Sequence, residues 1–323
     1  LRGRFACENT EATPLFLFLR VKRHPPKESV VILLNSCVSW IGGKKALRDE
    51  IVIRFPLGFM RYIEVFGGGG WILFHKQPSN HFEVYNDFNP NLTNFFRCVR
   101  DMPEELIDEL EFALNSRLDF KHIRSEMKKS IELPDIRRAA YFYQLIRQSY
   151  ASGLSSFGGQ PHSMWANFPL IRACCGRLQK VVIENKDFEQ LIKQYDRPES
   201  FFYCDPPYYA TEDYYEDVDF TPADHKRLAD ALCAIDGKFL LSYNDCPEIR
   251  ALYDRPGIII EGTSRLSNIA QRYEGGAMYA ELLIANYDTT EQARSFLQLT
   301  LWDDPQNPQR ILDERKIITD GTV

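Results

Sequence analysis

The chain has 323 residues, with 39 Lys and Arg against 45 Asp and Glu, for a formal net charge of −6. Hydrophobic residues make up 44% and charged residues 26%, a globular balance that excludes disorder. No apolar run approaches the ~20 residues of a membrane span, and the apolar run 14–19 is short and followed by Arg20, Lys22 and Arg23, which argues against a secretory signal. The eight cysteines form no C-x-x-C pair, so free thiols in a reducing cytoplasm are expected and a structural zinc is not.

Residues 1–33 mix Arg and Lys with Pro and lack clean periodicity, which marks them as an N-terminal extension, disordered or not native; the first methionine is Met60. From residue 61 the pattern is regular. Short β-rich runs predict strands at 62–66, 82–85, 181–184, 201–204, 238–242, 257–260 and 280–286. Helix-like stretches fall at 90–100, 188–194, 222–235 and 247–253, the third with Thr221 as N-cap, Pro222 at the first helical position and Asp224 capping in return. This alternation implies an α/β fold with a mostly parallel sheet covered on both faces. It breaks at 103–177, where helices are expected at 103–114 and 135–150, followed by a Gly/Ser-rich loop at 151–160. The expected organisation is therefore a cofactor-binding part (34–102), a helical insertion (103–177), a catalytic part (178–288) and a C-terminal tail (289–323). From Arg117 to Lys180 there are 11 Lys/Arg and 4 Asp/Glu, a local +7, while the other residues hold 28 against 41, or −13. Such a segment is either a phosphate-binding surface or a solvated helical face.

Four motifs carry chemistry. Glu64-Val65-Phe66-Gly67-Gly68-Gly69-Gly70 follows a predicted strand and precedes Trp71, and its glycines let the backbone turn sharply and approach a ligand. Asn86-Asp87-Phe88-Asn89 ends the next strand, with Asp87 about 20 residues beyond the glycines, where α/β nucleotide sites bind ribose hydroxyls. Asp205-Pro206-Pro207-Tyr208 leaves an apolar strand by a rigid, extended exit that presents a carboxylate, a carbonyl and an aromatic ring. Trp40-Ile41-Gly42-Gly43-Lys44 is weak on its own, since Gly-Gly-Lys turns are common. His75, His81, His122, His162 and His225 show no ligand spacing, and no metal is expected.

In this order the motifs W-x-G-G-K, F-x-G-x-G, D-x-N and D-P-P-Y resemble the Dam-type N6-adenine DNA methyltransferases, over roughly residues 34–288. The resemblance implies a Rossmann-like methyltransferase sheet of seven strands with an antiparallel last strand, and a mainly helical target-recognition insertion. It implies S-adenosylmethionine as methyl donor, contacted by Trp40, Lys44, Glu64, Phe66, Gly68, Gly70, Asp87 and Asp205. Asp205 and Pro206 would accept the two N–H bonds of the adenine amine, and Tyr208 would stack on the flipped-out base, with Tyr209 placed to help line its pocket. Duplex DNA is the implied partner, held by Arg124, Lys128, Lys129, Arg137, Arg138 and Tyr150. A restriction endonuclease of the same system is a further candidate partner, and no membrane is involved. Members of this family that read GATC carry an Arg soon after a Y-x-G-L-like element. Here Ser156 stands at about that position, which argues against GATC because Arg is the usual bidentate reader of guanine. Two alternatives remain open: the same site acting on RNA or on another exocyclic amine (cytosine N4, guanine N2), and a catalytically silent nucleic-acid-binding relative.

Overall fold

The computed structural model describes residues 34–40, 42–129, 133–160, 163–210, 220–266 and 278–295. The proposed extension at 1–33 and most of the tail beyond residue 288 lie outside these residues. In chain order the elements are α1 (Arg48–Val52), β1 (Arg61–Glu64), α2 (Trp71–His75), β2 (Phe82–Asn86), α3 (Pro90–Asp101), α4 (Pro103–Glu111), α5 (Arg117–Lys129), α6 (Asp135–Gln148) and α7 (Phe168–Leu178). There follow β3 (Val181–Glu184), α8 (Phe188–Tyr195), β4 (Ser200–Cys204), α9 (Pro222–Cys233), β5 (Lys238–Asn244), α10 (Pro247–Tyr253), β6 (Ile259–Leu266) and β7 (Met278–Ala285).

The strands form one seven-stranded sheet in the order β3-β2-β1-β4-β5-β7-β6. β1 runs parallel to both β2 and β4, β3 is parallel to β2, and β5 is parallel to β4. Only β7 is reversed, antiparallel to both β5 and β6. Strand order switches direction between β1 and β4, so the loops leaving these two strands diverge and leave a crevice at the carboxyl edge. Successive residues point to opposite faces. Tyr62, Phe201, Tyr203 and Leu240 enter one buried layer with residues of α1, α2, α3, α6 and α7. Ile63, Phe202, Cys204 and Leu241 enter the other, with residues of α8, α9 and α10.

Several elements differ from expectation for identifiable reasons. β6 continues past residue 260 to Leu266, because an edge strand paired only with β7 needs no continuous apolar run. α5 buries only Phe120 and Ile123, too thin a stripe to mark a helix in sequence. α7 starts on Phe168-Pro169, with Pro in the first turn, and was equally unmarked. The expected cap of α9 is present: the Asp224 carboxylate accepts the Thr221 backbone N–H at 2.7 Å.

α6 is fastened to the segment that carries Trp40. The Tyr143 hydroxyl donates to the Cys37 carbonyl at 3.2 Å, and Phe142 lies 5.8 Å from the Trp40 ring. Tyr143 in turn stacks on Phe95 of α3 at 5.2 Å.

Candidate active site

The glycine loop leaves β1 and is pinned from β2. Gly67 N–H donates to the Asn86 carbonyl at 2.7 Å, Asn86 Nδ2 donates to the Val65 carbonyl at 2.9 Å, and the Tyr85 hydroxyl donates to the Gly68 carbonyl at 2.7 Å. A Cβ on Gly67 would lie 2.2 Å from the Tyr85 ring, and Gly70, at φ +69°, would direct one to 2.8 Å from Phe74. Glycine is therefore required at both positions. Asp87 bridges the loop and the next helix, accepting Gly68 N–H at 2.8 Å and Asn89 N–H at 2.8 Å.

A cavity of about 570 Å³ opens between the loops of β1, β2 and β4, with Trp40, Lys44, Glu64, Phe66, Gly68, Asp87 and Asp205 in its wall. Its size is that of a small-molecule site. Gly70 is not in the wall; it stands instead at the start of α2. Sequence reasoning missed Asp187, Phe188, Phe220 and Arg227, which also line the cavity. Phe66 lies 5.7 Å from Phe188 and 6.0 Å from Phe220, and the Arg227 guanidinium sits 4.2 Å over the Phe188 ring. The available signal was position: Asp187 and Phe188 follow β3 at the same edge of the sheet.

Lys44, 4% exposed, places its Nζ 2.6 Å from Asp205 Oδ1 and 4.5 Å from the centroid of Tyr208. Ser242 Oγ donates to the same Asp205 oxygen at 3.0 Å. Pro206 is buried beside Asp205, and Pro207, not Pro206 or Tyr208, lines the cavity. The Asn244 amide holds the backbone of Tyr209, accepting its N–H at 3.0 Å and donating to its carbonyl at 3.1 Å. The Asp205 carboxylate, the glycine loop and Asp87 thus share one cavity at the strand-order reversal.

Burial sets the protonation of these acids. It raises Asp205, against the opposing pull of Lys44, while the nearby Glu281 charge adds to the rise. It raises Asp87 to about 6 despite the two N–H donors. It raises Glu64 to about 8, opposed by the Tyr62 hydroxyl bond and Lys76, so Glu64 carries its proton at neutral pH. A carboxyl whose folded pKa lies above its unfolded value stabilises the fold at low pH, and that contribution is lost as pH rises through the folded value. The melting temperature is therefore expected to fall more steeply between about pH 5 and 8, the interval between the ordinary carboxylate value and the folded one, in the wild type than in Glu64→Gln, as thermal scans across that range would show.

The basic residues divide. The Arg177 side chain, 7% exposed, bonds both oxygens of Glu83, at 2.5 and 3.0 Å, together with the Leu73 carbonyl at 3.1 Å. Arg172 pairs with Glu104 at 2.6 Å, Arg137 with Glu109 at 3.2 Å, and Lys129 lies 3.8 Å from Glu126. Arg138 donates to Asn91 Oδ1 at 2.7 Å. Arg124, Lys128 and Lys129 share α5, apart from the cavity wall, and Tyr150 is 54% exposed. His75 pairs with Asp49 at 2.6 Å, and His225 meets the Tyr243 hydroxyl. Among the described residues no group of His, Cys, Asp and Glu is arranged to hold a metal, the cysteines are free, and no helix is long and apolar enough to cross a membrane.

Comparison with known proteins agrees with this geometry. The chain is 28% identical over 281 residues to a Type II methyltransferase of Lactococcus lactis subsp. cremoris, covering 79% of this chain and 96% of the relative. It is 26% identical to the Retron Ec67 DNA adenine methylase of Escherichia coli, over 68% of this chain and 81% of the relative. It is also 26% identical to a DNA adenine methylase of Haemophilus influenzae, over 67% and 82% respectively. Residues 40–268, which include all four motifs and the whole cavity wall, match a family as a whole, and on that match the chain belongs to the D12 class N6 adenine-specific DNA methyltransferases.

Proposed function

We propose that this chain transfers a methyl group from S-adenosylmethionine to N6 of an adenine flipped out of duplex DNA. The observation that carries the reading is the placement of Asp205 and the glycine loop on one cavity, at the point where strand order reverses. The cavity fits that donor. Asp87 offers a carboxylate to ribose hydroxyls, Phe66, Phe188 and Phe220 form an apolar recess for a purine, and the wall glycines Gly68 and Gly69 allow close approach beside Trp40 and Glu64. When bound, S-adenosylmethionine supplies an electrophilic sulfonium methyl.

The adenine amine is a poor nucleophile because its lone pair is delocalised into the ring. Asp205 and the Pro206 carbonyl accept its two N–H bonds, favouring a tetrahedral nitrogen with a directed lone pair. An amine arriving at Asp205 displaces the Lys44 ammonium from Oδ1 and leaves that cation alongside to balance the carboxylate. The N–C bond would form as the donor's S–C bond breaks, with sulfur keeping the electron pair and leaving as a neutral thioether. The surplus proton then leaves nitrogen, and Asp205, with its raised pKa, is placed to take it toward solvent. Tyr208 provides the ring against which the base rests. A base inside a duplex reaches none of these groups, so flipping is required. Arg124, Lys128 and Lys129 of α5, with Arg137, Arg138 and Tyr150, are the phosphate and groove contacts of this reading. The likeness to a Type II methyltransferase supports a modification role; a restriction endonuclease of the same system is the proposed partner and the cytoplasm the proposed location.

Expression in a host without adenine methylation, followed by modification-sensitive long-read sequencing of its DNA, tests the proposal. N6-methyladenine in one short motif is the expected result, in a sequence other than GATC. Unmodified adenine with soluble, cofactor-binding protein would overturn it in favour of RNA or another exocyclic amine.

A further inference from the structure

β7 reads Met-Tyr-Ala-Glu-Leu-Leu-Ile-Ala, and its one acid, Glu281, is fully buried. A carboxylate in the interior of a sheet is retained only where its hydrogen bonds serve something. Glu281 stands in register opposite Asn244 on β5 and Thr263 on β6. Its Oε2 accepts the Tyr208 hydroxyl at 2.9 Å. Two residues earlier on the same strand, Tyr279 stacks on the Tyr208 ring with centroids 6.3 Å apart and planes 17° from parallel. The neighbouring strand end completes the hold, since Asn244 clamps the backbone of Tyr209 and Ser242 bonds Asp205.

We propose that Glu281 is the positioning residue for the target base: by accepting the Tyr208 hydroxyl, it fixes the plane of the ring on which the flipped adenine stacks, three residues from Asp205. This rests on the methyl-transfer reading above. β7 supplies both the anchor for the hydroxyl and the backing for the ring, so the reversed strand sets the orientation of the base pocket while the parallel strands hold the cofactor. Glu281 holds the ring through Tyr208, its charge also bears on Asp205, and the recess of Phe66, Phe188 and Phe220 is left untouched. Glu281→Gln, neutral but still an acceptor, separates the first effect from the second. Its loss therefore separates base placement from cofactor binding.

The test uses the full chain and duplexes carrying the motif found by sequencing, with 2-aminopurine replacing the target adenine in a second set. Three quantities are read: cofactor affinity, kcat and KM for methylation, and the fluorescence rise as the base leaves the stack. Glu281→Leu is expected to lower kcat roughly 10–100-fold and to reduce the fluorescence rise, with cofactor affinity within about threefold of wild type. Glu281→Gln, which keeps an acceptor oxygen, should recover most of that loss. Tyr208→Phe, which keeps the ring and removes only the hydroxyl, should resemble Glu281→Leu, and the double variant should be no worse than either single one. Additive losses, cofactor binding that falls in step with kcat, or a fully active Tyr208→Phe would each overturn the inference. If Glu281→Leu does not fold, Tyr208→Phe and Glu281→Gln decide the matter by the same readouts. A wild type that methylates no adenine takes down both this inference and the reading beneath it. A wild type that methylates, with Glu281→Leu its equal, removes this inference alone.

Discussion

Asp205→Ala is expected to lower kcat by about 10³-fold while the protein still binds S-adenosylmethionine. The carboxylate stands at the end of β4, held by Lys44 at 2.6 Å and Ser242 at 3.0 Å, so its geometry is set before any substrate arrives. In the proposed mechanism alanine removes the acceptor that draws the amine toward a tetrahedral nitrogen, and with it the group placed to receive the proton. It also leaves Lys44 buried without its carboxylate, a cost that appears as lower stability and is measured separately by denaturation. Asp205→Asn keeps an acceptor oxygen and should fall between wild type and alanine. Methyl transfer from labelled cofactor to duplex DNA reads all three, and an alanine variant within tenfold of wild type would rule out the acceptor role. pH offers an independent check. Protonated Asp205 is a weaker acceptor and can no longer take up the surplus proton, and its pKa is raised by burial, so the acid limb of kcat should lie above the ordinary carboxylate range.

The largest effect on stability is expected at Glu83. Its carboxylate, 3% exposed, takes Arg177 at 2.5 Å and also pairs with the buried Lys76. Glu83→Ala leaves two buried cations without their anion, which costs about 3–5 kcal/mol, a large share of the roughly 5–15 kcal/mol that holds a domain together. Denaturant unfolding measures it directly, and a loss below about 1 kcal/mol would mean that water replaces the carboxylate. Because Arg177 also holds the Leu73 carbonyl at 3.1 Å, the variant should loosen α2 and weaken cofactor binding as well.

The centre of the sheet and the four motifs were legible in the sequence because both are local signals. β1, β2 and β4 are short apolar runs whose ends match expectation within two residues, and the loops after them announce themselves through glycine and proline. What the sequence did not reveal was proximity. Phe188 and Phe220 are ordinary aromatic residues until the fold brings them to Phe66, and Gly-Gly-Lys is unremarkable until Lys44 meets Asp205. The charge excess at 117–180 likewise mixes different kinds of residue. Arg177 contributes to it but belongs to a buried network with Glu83, whereas Lys128 and Lys129 stand exposed at the end of α5.

One buried layer joins Cys37, Val38, Leu73 and Phe74 to Phe95, Phe142, Tyr143, Ile146 and Ile171. α3, α6 and α7 thus rest on the same foundation as the start of α2 beside the glycine loop, with Trp40 and Phe142 at the seam, while α5 packs in a separate cluster through Phe120 and Ile123. A segment anchored in this way cannot be traded whole between relatives without remaking the floor of the catalytic chamber. On the proposed reading, new addresses on DNA arise by changing exposed side chains of α5 and the 150–160 loop, and a library confined to those positions is expected to change where the enzyme acts while leaving how it acts intact.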